Sequence, residues 1–202
     1  FELEIGYDHL KQFRIPLEEE LISTGTRHKN IRISKVEFEY ILLVIRLSLK
    51  NSLVGKTPSF VKSLFTNFTW NIDTKKQELY LTFDDGPTPK ITPWVLEQLK
   101  TYNAKATFFC IGSNVEKHPE ILKSIIDEGH TIGNHTYNHL KGWKHKTKDY
   151  LVDVELAQKA INKISFSTSK LFRPPYGKFK TKQAKQLQKS DYKIVMWDVL
   201  SF

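Results

Sequence analysis

From residue 78 onward, short strand-like segments alternate with longer helix-like segments, and this alternation restricts the chain to few folds. The predicted strands are rich in aromatic and apolar residues and are bounded by turn residues: 78–83, 106–111, 130–133, 170–172 and 192–197. The predicted helices are 92–102, 119–128, 150–164 and 181–189, and Gly129 is expected to end the second of them. Strands that alternate with helices form parallel sheets with right-handed crossovers. The sequence therefore predicts an α/β fold.

Three segments of the chain differ in character. Residues 1–51 mix charged and apolar stretches without a functional motif, and we assign them no role. Residues 52–75 carry a cluster of aromatic residues and are predicted to be a lead-in that packs on the next segment. Residues 76–202 hold the strand–helix alternation. With 40% hydrophobic residues over 202 positions, the chain can bury one core.

Charge, cysteine content and hydropathy narrow the function classes. The excess of 31 Lys and Arg over 22 Asp and Glu gives a formal charge of +9, which favours acidic partners. Most lysines are scattered over predicted helix faces, as expected of solvated surface, and no basic–aromatic pattern indicates nucleic-acid binding. The single cysteine, Cys110, excludes an intramolecular disulfide framework and is predicted to lie in the core. The most apolar stretch, 40–49, is too short to span a membrane, and neither export nor cytosolic residence follows from the sequence.

Polar side chains follow four of the predicted strands. These clusters are Asp84-Asp85, Asn134-His135, 173–176 and Trp197-Asp198. Because the carboxyl ends of parallel strands meet at one edge of a sheet, we expect the clusters to lie together.

A histidine pair and an adjacent pair of carboxylates indicate a metal site. His135 and His139 are four residues apart, so on one helical turn both imidazoles can bind the same ion. Such a pair also occurs on solvated helices, and alone it leaves both interpretations open. Asp84 and Asp85 repel each other unless a cation lies beside them, although a turn with a helix-capping role is an alternative. Two histidines, one carboxylate and an open position are typical of a catalytic metal site.

Three motifs carry a resemblance to a known family. The segments 82–87 (Thr-Phe-Asp-Asp-Gly-Pro), 135–139 (His-Thr-Tyr-Asn-His) and 173–176 (Arg-Pro-Pro-Tyr) resemble the first three motifs of the polysaccharide deacetylase family, also called NodB-homology or carbohydrate esterase 4. They occur in the family's order, and the resemblance runs from about residue 79 to the end of the chain. It implies a distorted (β/α) barrel. It also implies the hydrolysis of acetyl groups on chitin-like polymers, peptidoglycan or xylan.

The resemblance implies a metal centre and a base. Asp85, His135 and His139 would be the ligands of a divalent ion, expected to be zinc, with cobalt or manganese as alternatives. Asp84 would be the general base that takes a proton from the attacking water.

Three further residues receive supporting roles from the resemblance. Arg173 would orient Asp84 and modulate its basicity. Tyr176 would donate its backbone N–H to the oxyanion. Thr136 would hold the histidine loop by hydrogen bonding.

One departure from the family pattern lies near the carboxyl terminus. The family carries its acid on a histidine in a fifth motif, after a fourth motif that contains Asp-Trp. This sequence has no histidine after His145, and Asp198 is not a confident match to the fourth motif. We therefore expect an incomplete barrel that lacks its last strands and helices, in a chain that binds metal yet turns over poorly.

Several functions stay open on the sequence alone. The favoured one is metal-dependent removal of N-acetyl groups from peptidoglycan or a chitin-like glycan, in the bacterial cell envelope that the family suggests. A non-catalytic fragment that binds glycan or metal is an alternative, as is an amide or imide hydrolase of the same fold. A non-haem iron oxygenase is disfavoured, because those enzymes pair His-x-Asp with a distant histidine on an antiparallel fold. Trp94, Trp143 and Trp197 are candidates either for sugar stacking or for packing.

Overall fold

A computed structural model gives the fold, and it describes residues 3–4, 57, 59–72, 78–165 and 170–201. Within these residues the strands are β1 (Leu3–Glu4), β2 (Leu81–Gly86), β3 (Ala106–Cys110), β4 (Thr131–Asn134), β5 (Leu171–Phe172), β6 (Lys193–Ile194) and β7 (Leu200–Ser201). They form one sheet of seven strands in the order β6-β5-β4-β3-β2-β1-β7.

The central part of this sheet is parallel, as predicted. Strands β2 to β6 pair in parallel along the sheet, and the register of the longest pairing places Phe83 opposite Phe108. Only β1, which pairs with β2 and β7, is antiparallel to its neighbours in the part of the chain that is described. The carboxyl ends of β2 to β6 therefore share one edge of the sheet.

Six helices accompany the described strands. They are α1 (Ser59–Leu64), α2 (Ile91–Thr101), α3 (Gly112–Lys117), α4 (Pro119–Asp127), α5 (Thr147–Asn162) and α6 (Thr181–Lys189). Two 3₁₀ turns add Gly142–Lys144 and Pro175–Gly177. The predicted helices 92–102, 119–128 and 181–189 are confirmed to within one residue, and the predicted 150–164 helix begins three residues earlier. Helix α3 was not predicted, because six residues are too few to display a helical period.

Two glycines shape the helices for different reasons. Gly129 has a φ of 76° and follows the last turn of α4, so it ends that helix in the left-handed conformation as predicted. A Cβ on Gly112 would lie 2.6 Å from the Cα of Ala157, so α3 and α5 approach each other at backbone contact.

The core consists of two clusters on the sheet. Helices α2 and α4 cover the first cluster, which includes Phe83, Leu96, Leu99, Phe108, Cys110, Leu122 and Ile125. Helices α5 and α6 cover the second cluster, which includes Tyr150, Val154, Phe172, Leu187, Tyr192 and Ile194. Full burial of each large apolar side chain contributes about 1.5–3 kcal/mol.

Cys110 lies in the first cluster and is completely buried, which confirms its predicted place. Burial, and to a smaller extent the charge of Asp84, raises the pKa of its thiol. The thiol therefore stays protonated and unreactive at neutral pH.

The described part of the lead-in packs on the carboxyl-terminal half of the chain. Phe68 contacts the ring of Phe179 at 5.6 Å between centroids, and Thr69 forms a parallel bridge with Val195. Apart from Leu3 and Glu4, the 1–51 segment and its apolar run lie outside the described residues. In the described part of the chain, no helix combines the length and apolarity that crossing a membrane requires.

Candidate metal centre

The two adjacent carboxylates sit at a break in the regular geometry of β2. The register with β3 shifts between Asp84 and Gly86, and Asp85 has a φ of 67°. In a regular strand, consecutive side chains point to opposite faces of the sheet. A bulge removes this alternation and re-aims a side chain, so both carboxylates reach the same site.

Asp85, His135 and His139 converge on one point. The Nε2 atoms of His135 and His139 lie 3.5 Å and 3.1 Å from Asp85 Oδ1. One nitrogen or oxygen atom from each of the three side chains lies within 4.8 Å of the others. This spacing lets a single ion contact all three residues.

The histidine pair lies in a tight loop, and the predicted helical turn is wrong. Thr136 and His139 have φ values of 65° and 53°, which no α-helix contains. A loop that reverses on itself brings residues four apart together as well as a helix does, and the ring centroids of His135 and His139 are 5.1 Å apart. Within this loop, the Thr136 hydroxyl accepts a hydrogen bond from the Leu140 N–H at 3.2 Å.

Asp153 on α5 holds the loop of His135 and His139 in place by hydrogen bonds. This residue was not identified from the sequence. The Asp153 side chain is only 4% exposed. Its Oδ2 accepts the backbone N–H groups of Tyr137 at 2.8 Å and Asn138 at 3.0 Å, and its Oδ1 accepts the Asn138 side-chain amide at 2.6 Å. The sequence does contain a signal for this role. Asp153 lies between Tyr150 and Val154 on the apolar face of the helix, and a buried charge there requires a polar partner.

The hydrogen bonds of His135 define which nitrogen can bind an ion. Its Nδ1 lies 2.8 Å from the backbone oxygen of Arg173, which can only accept, so Nδ1 carries the proton and Nε2 carries a lone pair. Burial lowers the pKa of His135 and outweighs the opposite influence of Asp84 and Asp85. The imidazole is therefore neutral at neutral pH and available as a ligand.

The chemistry of this donor set fits a cation. Burial alone would raise the pKa of Asp85, but contact with His139 and the proximity of His135 outweigh burial and lower it, so the carboxylate is ionised. Asp85 Oδ1 is buried and has no hydrogen-bond partner among the described residues. A carboxylate oxygen that faces the lone pair of His135 Nε2 is unfavourable unless a positive ion lies between them. Two imidazole nitrogens and one carboxylate suit zinc.

Asp84 and Arg173 form a buried ion pair beside the centre. The two residues are 2% and 1% exposed, and Arg173 Nη1 donates to Asp84 Oδ1 at 2.9 Å. The same guanidinium donates to the carbonyl oxygens of Val195 and Met196 at 3.2 Å and 3.1 Å. Asp84 Oδ2 is buried without a partner among the described residues, so it is available as a proton acceptor.

Tyr176 borders the centre on its exposed side. It lies in the 3₁₀ turn with a φ of 61°, and its ring centroid is 4.7 Å from that of His139. Its backbone N–H has no acceptor within the described part of the chain. The turn is seated on Trp197, because a Cβ on Gly177 would lie 2.5 Å from that indole.

Other polar and aromatic candidates from the sequence lie elsewhere. Asp198 forms an ion pair with Lys62. His130 is a packing residue, since it is buried and its Nδ1 accepts the Ala106 N–H at 3.3 Å. Trp94 packs against the first core cluster, whereas Trp143 is 49% exposed.

Comparisons with known proteins agree with this geometry. The sequence profile described as "Polysaccharide deacetylase" matches residues 71–195. The chain is 43% identical over 124 residues to a peptidoglycan-N-acetylglucosamine deacetylase of Bacillus cereus, covering 61% of this chain and 45% of that protein. It is 34% identical over 151 residues to the peptidoglycan-N-acetylmuramic acid deacetylase PdaA of Bacillus subtilis, covering 74% of this chain and 54% of that protein. The chain thus spans about half the length of these curated relatives.

A solved structure supports the fold class directly. The structure of Bacillus subtilis PdaA, described as a family 4 carbohydrate esterase, matches with a TM-score of 0.63 and 30% identity. The match covers 69% of this chain and 61% of the other. The likeness confirms the predicted α/β fold with its parallel sheet.

Proposed function

Because the chain belongs to the polysaccharide deacetylase family, we propose that it hydrolyses N-acetyl groups of a glycan, with peptidoglycan as the substrate. Chitin-like oligomers of N-acetylglucosamine are the second substrate candidate. The observation that carries the proposal is the convergence of Asp85, His135 and His139 beside the buried Asp84. A hydrolase of this type breaks a carbon–nitrogen bond that is not a peptide bond.

Asp85, His135 and His139 would hold a divalent ion, which we propose to be zinc. When bound, the ion supplies Lewis acidity to the acetyl carbonyl and to the attacking water. Asp85 Oδ1, which has no hydrogen-bond partner among the described residues, faces the unprotonated Nε2 of His135, and two lone pairs attract each other only through a cation. This arrangement supports the assignment.

Asp84 is the proposed base. As water attacks the carbonyl carbon, its proton passes to Asp84 Oδ2, which has no other partner among the described residues. Arg173 holds the opposite oxygen, Oδ1, and compensates the buried negative charge. The fixed guanidinium keeps the accepting oxygen in one orientation throughout the proton transfer.

The Tyr176 N–H is the proposed oxyanion donor. Its N–H, which has no acceptor among the described residues, lies in a turn beside His139, where the carbonyl oxygen of a bound acetyl group would gain negative charge. One well-placed donor of this kind contributes about 3–4 kcal/mol to transition-state stabilisation. When the tetrahedral carbon collapses, the carbon–nitrogen bond breaks and the proton that Asp84 Oδ2 accepted from water passes to the leaving nitrogen, so that acetate and a free amine are released.

The proposal is tested by acetate release. Peptidoglycan strands and chitooligosaccharides are incubated with this chain and zinc, and free acetate is measured for the wild type, Asp84→Asn and Asp149→Asn. We expect Asp84→Asn to lower the rate at least 100-fold, the lower range for loss of a general base. Asp149 is exposed on α5, and its amide variant should behave as the wild type.

Two outcomes would contradict the assignment. If Asp84→Asn releases acetate at the wild-type rate, Asp84 is not the base. If zinc binds through His135 and His139 but no glycan yields acetate, the deacetylase proposal fails for this chain. A glycan-binding or metal-binding role would then replace it.

A further inference from the structure

Two lysine-rich segments lie side by side next to the candidate metal centre. They are residues 141–148, which follow the histidine loop, and residues 178–182, which follow Tyr176. Lys180 Nζ donates to the carbonyl oxygen of His145 at 2.6 Å, and Gln183 Nε2 donates to that of Gly142 at 2.9 Å. Gly142 packs directly on Phe179, since an added Cβ would lie 2.7 Å from it. The two segments therefore present one continuous surface.

This surface carries positive charge and no acid. The two segments contain seven lysines and neither Asp nor Glu: Lys141, Lys144, Lys146, Lys148, Lys178, Lys180 and Lys182. Lys141 is half-buried and the other six are exposed. Among the described residues, the lysines that pair with acids are Lys62, Lys123 and Lys163, none of which belongs to this set. Within the described part of the chain, these seven lysines therefore form no ion pair with an acid, and their charge is available to a ligand.

Two exposed aromatic rings lie among these lysines. Lys141 Nζ is 4.3 Å from the centroid of the Tyr176 ring, and Lys178 Nζ is 4.7 Å from that of Trp143. The two rings belong to residues that are 42% and 49% exposed. We call Lys141, Trp143, Tyr176 and Lys178 the lysine–aromatic shelf. Because the Tyr176 ring also contacts His139, the shelf begins at the metal centre itself.

We propose that the shelf binds a glycan strand that carries carboxylate groups. Sugar rings would lie against Tyr176 and Trp143, and the carboxylates would pair with Lys141 and Lys178. An ammonium group over an aromatic face is held by the ring and keeps its charge for a second partner. The inference rests on the proposed function, and it narrows the substrate of the same site to an acidic N-acetylated polymer.

Single-stranded nucleic acid also combines stacking rings with negative charge. The glycan is favoured because the shelf is continuous with a site whose family acts on polysaccharides.

The test is a binding measurement that requires no turnover. Peptide-free peptidoglycan strands, whose muramic acid units carry free carboxylates, are titrated calorimetrically into the 202-residue chain at low salt. The matched ligand is the same strand preparation with its carboxylates converted to methylamides. We expect the carboxylate form to bind about five- to tenfold more tightly, the sum of two exposed ion pairs, and the difference to shrink at high salt.

Variants assign this preference to the shelf. In Lys141→Gln/Lys178→Gln the two ligands should bind equally, whereas Lys141→Arg/Lys178→Arg keeps the charge and should keep the preference. The control Lys100→Gln/Lys159→Gln removes the same charge from exposed positions on α2 and α5 and should also keep it. Far-ultraviolet circular dichroism verifies that each variant is folded.

Three results would overturn the inference. The first is equal binding of both ligands to the wild type. The second is a control variant that loses the carboxylate preference as fully as Lys141→Gln/Lys178→Gln does. The third is shelf-dependent binding of single-stranded DNA that is tighter than binding of the carboxylate strands. The readout also separates this inference from the proposed function. A carboxylate preference without acetate release supports the shelf and contradicts deacetylation. Acetate release without a carboxylate preference supports deacetylation and contradicts the shelf.

Discussion

Arg173 connects the proposed base, Asp84, and the candidate metal ligand His135 through different atoms. Its guanidinium donates to Asp84, and its backbone oxygen accepts the Nδ1 proton of His135. The guanidinium is also held by the carbonyls of Val195 and Met196 and lies 4.1 Å from the centroid of the Phe109 ring. One residue thereby fixes the orientation of the carboxylate and the tautomer of the imidazole.

Replacing Arg173 should therefore destabilise the fold strongly. Arg173→Gln leaves Asp84 buried without a cation, and we expect the free energy of unfolding to fall by about 3–5 kcal/mol. Urea denaturation followed by circular dichroism measures the change. The double variant Asp84→Asn/Arg173→Gln removes the uncompensated charge as well, so it should be more stable than Arg173→Gln alone. A double variant no more stable than the single one would show that the ion pair is not the source of the loss.

At the scale of elements, α5 positions the histidine loop through one carboxylate. Asp153→Ala removes the acceptor of three hydrogen bonds from Tyr137 and Asn138. Outer partners of metal ligands typically contribute 10- to 100-fold to metal affinity, and we expect a loss of roughly that size in a zinc titration. Asp149→Ala, on an exposed position of the same helix, should leave the affinity unchanged. Asp153→Asn retains one acceptor oxygen, so its zinc affinity should lie between those of Asp153→Ala and Asp149→Ala. Equal zinc affinities for all three variants would exclude a positioning role for Asp153.

The contact between Ala106, at the start of β3, and His130, which precedes β4, should make the free energy of unfolding depend on pH. Burial, and then the charge of Lys105, lowers the pKa of His130 from its ordinary 6.5. The unfolded chain therefore binds a proton first as the pH falls below about 6.5, and the free energy of unfolding decreases in that direction. The lowered pKa of His135 acts with the same sign.

His130→Gln keeps an acceptor near the Ala106 N–H but cannot be protonated. Urea unfolding at pH 7.5 and 5.5, in the presence of a chelator, should give a smaller difference for this variant than for the wild type. The remaining difference is assigned to His135 and to other titrating groups. An unchanged difference would mean that His130 is not a source of the acid sensitivity.

The sequence predicted those elements whose signal is local. The helix at 150–164 was predicted because its apolar positions recur at helical spacing. The end of α4 was predicted because glycine readily adopts the left-handed conformation that ends a helix. The loop at His135 was assigned to a helix because a spacing of four residues does not distinguish the two conformations. Asp153 was missed because its partners lie 15 and 16 residues away in the chain. Contacts of that kind exist only once the helix has packed on the sheet.

At the scale of the whole molecule, the candidate centre joins distant parts of the chain. Asp85 lies near the end of β2, and His135 and His139 follow β4, about fifty residues later. The three side chains converge only in the folded state, so a bound ion must stabilise that state relative to the unfolded chain. Zinc at 100 times its dissociation constant should raise the free energy of unfolding by about 2.7 kcal/mol.

Thermal unfolding with and without zinc measures this linkage. The melting temperature of the wild type should rise with zinc concentration and return to its original value when a chelator is added. His139→Ala removes a partly exposed ligand and should abolish the increase, whereas His145→Ala, outside the centre, should retain it. If His139→Ala gains as much stability as the wild type, zinc binds elsewhere and the three converging side chains are not its site. If only His145→Ala fails to respond, the ligand set must be reassigned toward the lysine-rich segment that contains His145.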